Sequence, residues 1–216
     1  MGIGLIVILG KQGAGKGTQC ARLADRYGVP HVATGDILRA AVKSDSPLGR
    51  EVKNVMRAGL LVSDQLITEV VAERLGQPDA ADGAILDGYP RTAPQAAALE
   101  AIVGADGIAA CIELAVPTEV VIARLSARRV CSDCGAIYSA DPGPAPEHCT
   151  NCGGTVVQRA DDSPDAIAER LAIYEQDTVP LIEHYAAKGQ LTRIDGDGPS
   201  DEVFARLTAV IDRISG

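Results

Sequence analysis

A glycine-rich loop near the start of the chain constrains the fold more than any other feature. An apolar run predicts a buried strand over residues 4–9, which Gly10 ends. The pattern G-x-x-x-x-G-K then runs from Gly10 to Lys16, and a helix-forming stretch continues to Tyr27. Strand, loop and helix in this order predict a phosphate-binding loop, with backbone N–H groups around the anion and Lys16 adding positive charge. The alternative, a glycine-rich hairpin with an exposed lysine, is disfavoured by the flanking strand and helix.

Composition limits the classes of protein that this chain can belong to. Its 216 residues fit one domain with insertions, and 46% hydrophobic residues support a sizeable core. One Phe, five Tyr and no Trp leave the packing to Ala, Val, Leu and Ile. The net charge of −9 argues against nucleic-acid or anionic-membrane binding, so phosphate groups must be bound by locally placed arginines.

The apolar start of the chain predicts a strand, because no basic segment precedes it and no cleavage site follows. No other stretch approaches twenty apolar residues, as a membrane span requires. We therefore expect a soluble cytoplasmic protein that binds no membrane. In a reducing compartment, clustered cysteines favour metal or redox chemistry over structural disulfides.

Alternating strand and helix patterns predict an α/β fold with a mainly parallel sheet flanked by helices. Strands are expected at 4–9, near 30–33, and at 84–87, 109–114 and 191–195, and the last helix at about Pro199 to Ile214. The stretch from Cys131 to Cys152 breaks the alternation and is rich in Gly, Pro, Ser and Asp. It indicates a small inserted module.

A second signal lies in residues 33–62. Thr34, Gly35 and Asp36 precede a helical stretch, and we expect Thr34 or Asp36 to cap that helix with its side-chain oxygen. Arg39 lies one turn inside the helix. Residues 58–62 then break a helix before Ser63 starts another. Alone, these features are typical of capped surface helices.

A third signal is the sequence Ile-Leu-Asp-Gly-Tyr-Pro-Arg, residues 85–91. A short strand ends at Asp87, which resembles the acidic strand end that supports Mg²⁺ beside a phosphate loop. The Gly88–Pro90 turn presents Arg91, and Gln95 follows on the next helix. The alternative for Asp87 is an ordinary turn residue.

Two C-x₂-C pairs, fourteen residues apart, indicate a metal site. Four thiolates suit a structural, tetrahedral Zn²⁺; two disulfides, a redox pair or an iron centre are the alternatives. The ligands are Cys131, Cys134, Cys149 and Cys152. His148 is a weaker candidate ligand, and we expect it to be a solvated loop residue. Cys20 and Cys111 are expected in the core.

Several motifs in order resemble the adenylate kinases of the nucleoside monophosphate kinase family. They are GKQGAGKGT, TGDILRAAV, LDGYPRT with Gln95, ARLSARR at 123–129 and RADD at 159–162. The resemblance implies a five-stranded P-loop nucleotide-binding core of residues 1–32, 63–126 and 165–216. It also implies two mobile parts, a monophosphate-binding segment (33–62) and a lid (127–164). Some members of the family carry a zinc knuckle in the lid.

The resemblance also implies roles for individual residues. ATP would contact Gly13, Ala14, Gly15, Lys16, Gly17, Thr18, Arg124, Arg128, Ile137, Tyr138 and Gly198. AMP would contact Thr34, Arg39, Leu60, Leu61, Val62, Gly88, Tyr89, Pro90, Arg91, Gln95, Arg159 and Arg170. Charge on the transferred group would be stabilised by Lys16, Arg91, Arg128, Arg159 and Arg170. Asp161 and Asp162 would help to close the lid. We expect Arg124 and Arg128 to share one face of a helix.

Two positions depart from common patterns. Gly17 separates Lys16 from the hydroxyl of Thr18, so we expect Mg²⁺ to be held by phosphates and water, with Asp87 in its outer shell. A lysine often found at the position of Gly198 is missing, which leaves backbone contact with adenine there.

The activity that the resemblance implies is Mg·ATP + AMP ⇌ 2 ADP, by direct transfer in a monomeric enzyme of adenine nucleotide balance and salvage. A sister kinase using GTP as donor or UMP or CMP as acceptor is the nearest alternative. A nucleotide switch or zinc-ribbon nucleic-acid-binding protein is a remote one. The acidic charge and the scarcity of aromatic residues for base stacking argue against it.

Overall fold

The main sheet has five parallel strands. In space they lie in the order His31–Ala33, Gly83–Asp87, Gly4–Leu9, Ile108–Ala115 and Leu191–Asp195. The computed structural model describes residues 2–104, 107–140 and 143–215, so Met1 and Gly216, the outer limits of the expected core, lie outside the described residues. The strands are β1 (Gly4–Leu9), β2 (His31–Ala33), β3 (Gly83–Asp87), β4 (Ile108–Ala115) and β8 (Leu191–Asp195). Each lies within a residue or so of its predicted position, and the predicted α/β class is confirmed.

Helices cover both faces of this sheet. They are α1 (Lys16–Tyr27), α2 (Thr34–Lys43), α3 (Pro47–Arg57), α4 (Asp64–Leu75), α5 (Ala93–Val103), α6 (Thr118–Ala127), α7 (Pro164–Ile173), α8 (Val179–Ala187) and α9 (Ser200–Ser215). A 3₁₀ turn (Pro78–Ala80) precedes β3, and a π-helical turn (Tyr174–Thr178) joins α7 to α8. No helix in the described ranges is long and apolar enough to cross a membrane.

The core lies in two layers, one on each face of the sheet. Ile6 and Ile8 of β1 pack with helices α1, α6 and α9, whereas Val7 and Leu9 pack with α4, α5 and α8. This alternation follows from the two-residue period of a strand, and both faces are apolar because both are covered. The sheet therefore holds the loops at its carboxyl edge on a rigid base.

The inserted module, which we define as residues 128–140 and 143–157, forms a second sheet. Its antiparallel strands β5 (Arg128–Cys131), β6 (Ile137–Ser139) and β7 (Val156–Val157) are ordered β6-β5-β7. The sequence predicted a small module here, but not its strands, since each has two to four residues.

The predicted cap of α2 is wrong. The helix begins at Thr34 itself, its N-cap is Ala33, and no side chain caps it. The hydroxyl of Thr34 instead donates across the chain to the carbonyl oxygens of Asp87 (3.3 Å) and Gly88 (3.1 Å). The helix is therefore joined to the end of β3.

The expectation that Arg124 and Arg128 share a helix face is also wrong. Arg124 lies on α6, but the helix ends at Ala127 and Arg128 has extended backbone angles (φ −66°, ψ 135°) as the first residue of β5. Its guanidinium pairs with the buried carboxylate of Asp162. This long-range ion pair is absent from any local pattern, so helix periodicity could not reveal it.

Candidate active site

The phosphate loop connects β1 to α1 at the carboxyl edge of the sheet, where the strand order reverses and ligands bind in folds of this kind. Gly13 has a φ of +85°, and a β-carbon there would lie 2.8 Å from Cγ of Leu125. The Nζ atom of Lys16 donates to the carbonyl oxygens of Gly10 (2.8 Å) and Lys11 (3.0 Å). The loop therefore curls around a buried ammonium group.

Burial also changes the acidity of this lysine. Desolvation lowers the pKa of Lys16 to about 8, against which the nearby carboxylate of Asp87 acts. A buried cation without a matching anion is costly, so the site favours a ligand that carries negative charge.

Asp87, at the end of β3, lies beneath the loop. Its Oδ2 atom is 3.4 Å from Nε2 of His31, on the neighbouring strand β2. Burial alone would raise the pKa of the Asp87 carboxyl, but His31, Lys16 and Arg91 outweigh it and hold the pKa below its usual value. The carboxylate is therefore ionised at neutral pH.

Three cavities meet beside the loop. The loop cavity extends from the phosphate loop to the inserted module. The segment cavity lies against α2 and residues 59–62, and the rear cavity lies against the π-helical turn. Gly88, Arg91 and Arg170 line all of them. A group bound at this junction can be contacted both from the loop cavity and from the segment cavity.

Arginines surround the junction and share two acidic partners. Asp161 accepts from Arg170 (Nη2–Oδ2, 2.8 Å) and Arg159 (Nε–Oδ1, 3.1 Å), and Nη1 of Arg39 lies 3.9 Å from it. Burial would raise the pKa of the Asp161 carboxyl, but these arginines hold it below its usual value.

Asp162 binds the second group of arginines. Its fully buried carboxylate accepts from Arg128 (Nε–Oδ2, 2.8 Å), and Nη1 of Arg170 lies 3.5 Å away. Burial, together with neighbouring Arg91 and Arg159, lowers the pKa of Arg170 to about 10 against the pull of Asp161. With Lys16 the site has six positive charges against four carboxylates, and bound anions would balance the excess. The cations are Lys16, Arg39, Arg91, Arg128, Arg159 and Arg170, and the carboxylates are Asp36, Asp87, Asp161 and Asp162.

Gln95 is held firmly at the edge of the segment cavity. Its Oε1 atom accepts from the backbone N–H of Arg91 (2.7 Å), and its Nε2 atom donates to Oδ1 of Asp64 (2.7 Å). One N–H and one lone pair of this carboxamide remain free for a ligand.

The sulfur atoms of Cys131, Cys134, Cys149 and Cys152 lie within 4.8 Å of one another. Cys131 and Cys152 are 3.5 Å apart, as are Cys134 and Cys149. These separations exclude disulfides, whose S–S bond is about 2.05 Å, and approach the roughly 3.8 Å expected around tetrahedral zinc with 2.3 Å Zn–S bonds. His148 is exposed and outside the cluster, so the expectation of a non-ligating loop histidine is consistent with the structure.

Comparison with known proteins gives the same assignment over nearly the whole chain. A family model described as adenylate kinase matches residues 8–190. The adenylate kinase of Syntrophobacter fumaroxidans is 44% identical over 213 residues, which cover 95% of this chain and 99% of that protein. The chain belongs to the adenylate kinase family. Adenylate kinases of Lachnospira eligens (42% over 210 residues; 95% and 99% covered) and Archaeoglobus fulgidus (42% over 213 residues; 97% and 98% covered) are similar to it as well.

Family membership makes the chain a phosphotransferase and confirms the activity class predicted from the motifs. It also argues against the remote alternative, in which the cysteine pairs belong to a nucleic-acid-binding zinc ribbon. The small antiparallel sheet with its four-cysteine cluster is in keeping with the zinc-lid type of adenylate kinase.

Most of the ATP contacts expected from the family lie together in the loop cavity. They are Gly13, Gly15, Lys16, Gly17, Thr18, Arg124, Arg128, Ile137 and Tyr138. Ala14 is buried in the core instead, and Gly198 lies outside this lining, with its N–H donating to Oδ1 of Asp197.

The segment cavity likewise brings together most of the expected AMP contacts. They are Thr34, Arg39, Leu60, Leu61, Val62, Gly88, Arg91, Gln95 and Arg170. Pro90 lines the rear cavity and Arg159 the loop cavity. The Tyr89 side chain is fully buried in the core, where its hydroxyl bonds Thr68 (2.9 Å) and donates to the carbonyl oxygen of Gln95 (3.1 Å).

Sequence reasoning missed three residues of the site. His31 contacts Asp87, Asp64 orients Gln95, and Gln12 lines the cavity junction. Gln12 lies inside the recognised loop motif, so its position was a usable signal. His31 and Asp64 act through contacts between distant segments, which no local pattern contains.

Proposed function

We propose that this enzyme transfers the terminal phosphoryl group of Mg·ATP to AMP and forms two molecules of ADP. The observation that supports this most is the junction of the loop and segment cavities at Gly88, Arg91 and Arg170. A kinase acting on two nucleotides needs two binding spaces whose phosphate ends meet at cationic groups.

In this proposal the loop cavity binds the donor. The phosphate loop would surround the ATP phosphates, with Lys16 at the β- and γ-phosphates. Arg124 and Arg128 would approach from the edge of the cavity, and Ile137 and Tyr138 of the inserted module would cover the nucleotide. Ile137 is 53% exposed, so a bound adenine would remove apolar surface from water.

The segment cavity would bind the acceptor. Arg39 and Arg91 would bind the AMP phosphate, and Leu60, Leu61 and Val62 would lie along the base. Gln95 retains one donor and one acceptor, a pair that matches the N1 and amino positions of adenine. Cytosine presents the same pair at N3 and its amino group, so Gln95 suits AMP and CMP alike, and the assay below distinguishes them.

The transfer itself needs positioning and charge stabilisation. The bond between the γ-phosphorus and its bridging oxygen breaks, its electrons leave with ADP, and an oxygen of AMP bonds the phosphorus. The second pKa of a phosphate monoester is about 6, so AMP is already largely dianionic at neutral pH and requires no base. Lys16, Arg91, Arg128, Arg159 and Arg170 would stabilise the negative charge of the transferred group.

Two metals fit the residues present. When bound with ATP, Mg²⁺ supplies charge neutralisation at the β- and γ-phosphates, and the ionised Asp87 with the Thr18 hydroxyl lines the space where its water shell would lie. The four-cysteine cluster would hold Zn²⁺ as a purely structural ion, because four thiolates fill a tetrahedral site. Zinc would stabilise the inserted module, which has little core of its own.

We further propose that residues 33–62 and 127–164 move as a monophosphate-binding segment and a lid. Closure would exclude water, which otherwise competes with AMP for the phosphoryl group. Arg170 of the core pairs with Asp161 and lies 3.5 Å from Asp162. Arg39 of the segment lies 3.9 Å from Asp161, so these carboxylates of the lid would hold the three parts together on closure. The monomeric state, cytoplasmic location and role in adenine nucleotide balance belong to this proposal.

A coupled assay tests the proposal. Each triphosphate (ATP, GTP, CTP, UTP) is combined with each monophosphate (AMP, GMP, CMP, UMP), and diphosphate formation is followed with Mg²⁺ present. We expect the highest kcat/KM for ATP with AMP. A higher value for GTP as donor, or for UMP or CMP as acceptor, would assign the chain to a sister activity, and absence of diphosphate formation would refute the proposal.

A further inference from the structure

Gln12, in the middle of the phosphate loop, has an unexplained side chain. Its Oε1 atom is buried and has no hydrogen-bond partner among the described residues. A buried polar group without a partner costs about 1–3 kcal/mol, so such groups in proteins usually await a ligand or water.

The position of Gln12 indicates which ligand it awaits. It lines both the loop cavity and the rear cavity. The other residues that line both are Lys16, Gly88, Arg91 and Arg170. Three of these are the cations assigned to phosphate, and the glycine has no side chain. Gln12 is therefore the neutral polar side chain at the phosphate junction.

The backbone on either side of Gln12 is fixed. Nζ of Lys11 donates to Oγ1 of Thr118 (2.6 Å) and lies 3.3 Å from Oε1 of Glu175. Gly13 packs closely against Leu125. A side chain on a fixed turn loses little additional conformational entropy when it binds a ligand. This favours a single, well-defined hydrogen bond from Gln12 to the ligand.

We propose that the Gln12 carboxamide donates an N–H hydrogen bond to the phosphoryl group during its transfer. This inference rests on the proposed kinase activity. The oxygen is now buried against the protein, so binding requires the side chain to rotate and bring an N–H of Nε2 into the cavities that Gln12 lines. Such a donor would stabilise the transition state, because the equatorial phosphoryl oxygens carry negative charge there. Gln12 neither takes up nor releases a proton in this step.

Steady-state kinetics of Gln12→Ala and Gln12→Met test this role, with Gln77→Ala as the matched control. Gln77 is exposed and lines none of the described cavities. We expect kcat to fall about 10²-fold in both Gln12 variants, with both KM values nearly unchanged, because the bond forms in the transition state. The control should keep wild-type kinetics. Gln12→Glu should be slower still, since a carboxylate repels the phosphoryl oxygens.

Other outcomes overturn the inference. An unchanged kcat in Gln12→Ala and Gln12→Met refutes it, and a raised KM at constant kcat limits Gln12 to ground-state binding. If the Gln12 variants transfer the phosphoryl group to AMP at the wild-type rate but no longer hydrolyse ATP when AMP is absent, the amide positions water and not the phosphoryl group. Circular dichroism and melting curves identify misfolded variants. Failure of the wild-type enzyme to form ADP would refute the proposed function, which is a different result from an active enzyme that is insensitive to Gln12.

Discussion

At the scale of single residues, Lys16 is the group on which the donor site depends most. It is buried, and it is held by two loop carbonyl oxygens when no phosphate is present. We expect Lys16→Ala to fold normally and to lose at least about 10²-fold in kcat, because it removes a full charge at the transferred group. Coupled kinetics and circular dichroism measure the two effects. Lys188→Ala, an exposed lysine paired with Glu100, is the control, and near-normal activity of Lys16→Ala would contradict the assignment of the loop.

The acidity of Lys16 leads to a second prediction at this scale. Its pKa is about 8 in the free enzyme because burial disfavours the ammonium, and bound phosphate anions must raise it. Below pH 8 the lysine is charged in both states. Above pH 8 ATP binding must be accompanied by proton uptake, so the dissociation constant of ATP increases as the pH rises toward 10.

Isothermal titration calorimetry in buffers of different ionisation enthalpy measures this proton uptake directly. We expect it to increase between about pH 7.5 and 9.5 in the wild-type enzyme and to be absent in Lys16→Met. A dissociation constant that stays level over the same range would show that the lysine keeps its proton in the free enzyme.

Residues differ in how far their sequence context reveals them. Lys16 lies in a motif whose spacing places it at the loop cavity, so its position could be predicted from the sequence. Tyr89 lies in an equally recognisable motif, yet its side chain faces the core. The motif specifies the turn, and the packing around β3 decides where each side chain points. Gln12 was within reach of sequence reasoning, but its missing partner is visible only in three dimensions.

At the scale of elements, the proposed metal site of the four cysteines would decide the stability of the inserted module. We expect Cys149→Ser to lose bound zinc and to lower the melting temperature by at least about 5 °C, since two- to four-residue strands cannot hold the module alone. Activity at low temperature should change modestly because none of the four cysteines lines the loop cavity. Metal analysis and calorimetry measure both effects.

The matched control for this variant is Ser132→Ala, an exposed residue of the same module. It should keep its metal and its melting temperature. A wild-type enzyme that contains no metal would refute the zinc assignment, and stoichiometric iron would leave the structural role but change the ion.

Elements of the main sheet were predictable because buried parallel strands are continuous apolar runs bounded by turn residues. The ends of the helices that border the cleft, α2 and α6, were harder to predict. Helix α2 starts at Thr34, three residues before its expected start, because that hydroxyl bonds the end of β3 rather than its own helix. Helix α6 stops before Arg128 because Asp162 holds the arginine in a strand. In both places a contact with a distant segment overrides the local preference.

At the scale of the whole molecule, the side chain of Lys43 links residues 33–62, the proposed monophosphate-binding segment, to the inserted module. Nζ of Lys43, the last residue of α2, donates to the carbonyl oxygens of Ser132 (2.9 Å) and Asp133 (3.0 Å). These residues lie between Cys131 and Cys134, so a bound metal would fix both acceptors. The two parts that border the cleft are thus joined across its mouth.

If these parts close over the nucleotides as proposed, Lys43→Met should favour the open arrangement. The two hydrogen bonds together contribute about 1–3 kcal/mol, so we expect the equilibrium constant for closure to fall by about 5- to 150-fold. Single-molecule fluorescence transfer between dyes on α3 and the inserted module, with an unreactive two-nucleotide analogue bound, measures this fraction. KM for both substrates should rise, and Lys53→Met, an exposed lysine of α3, should behave as wild type. An unchanged closed fraction in Lys43→Met would show that the Asp161 and Asp162 ion pairs hold the cleft closed without this contact.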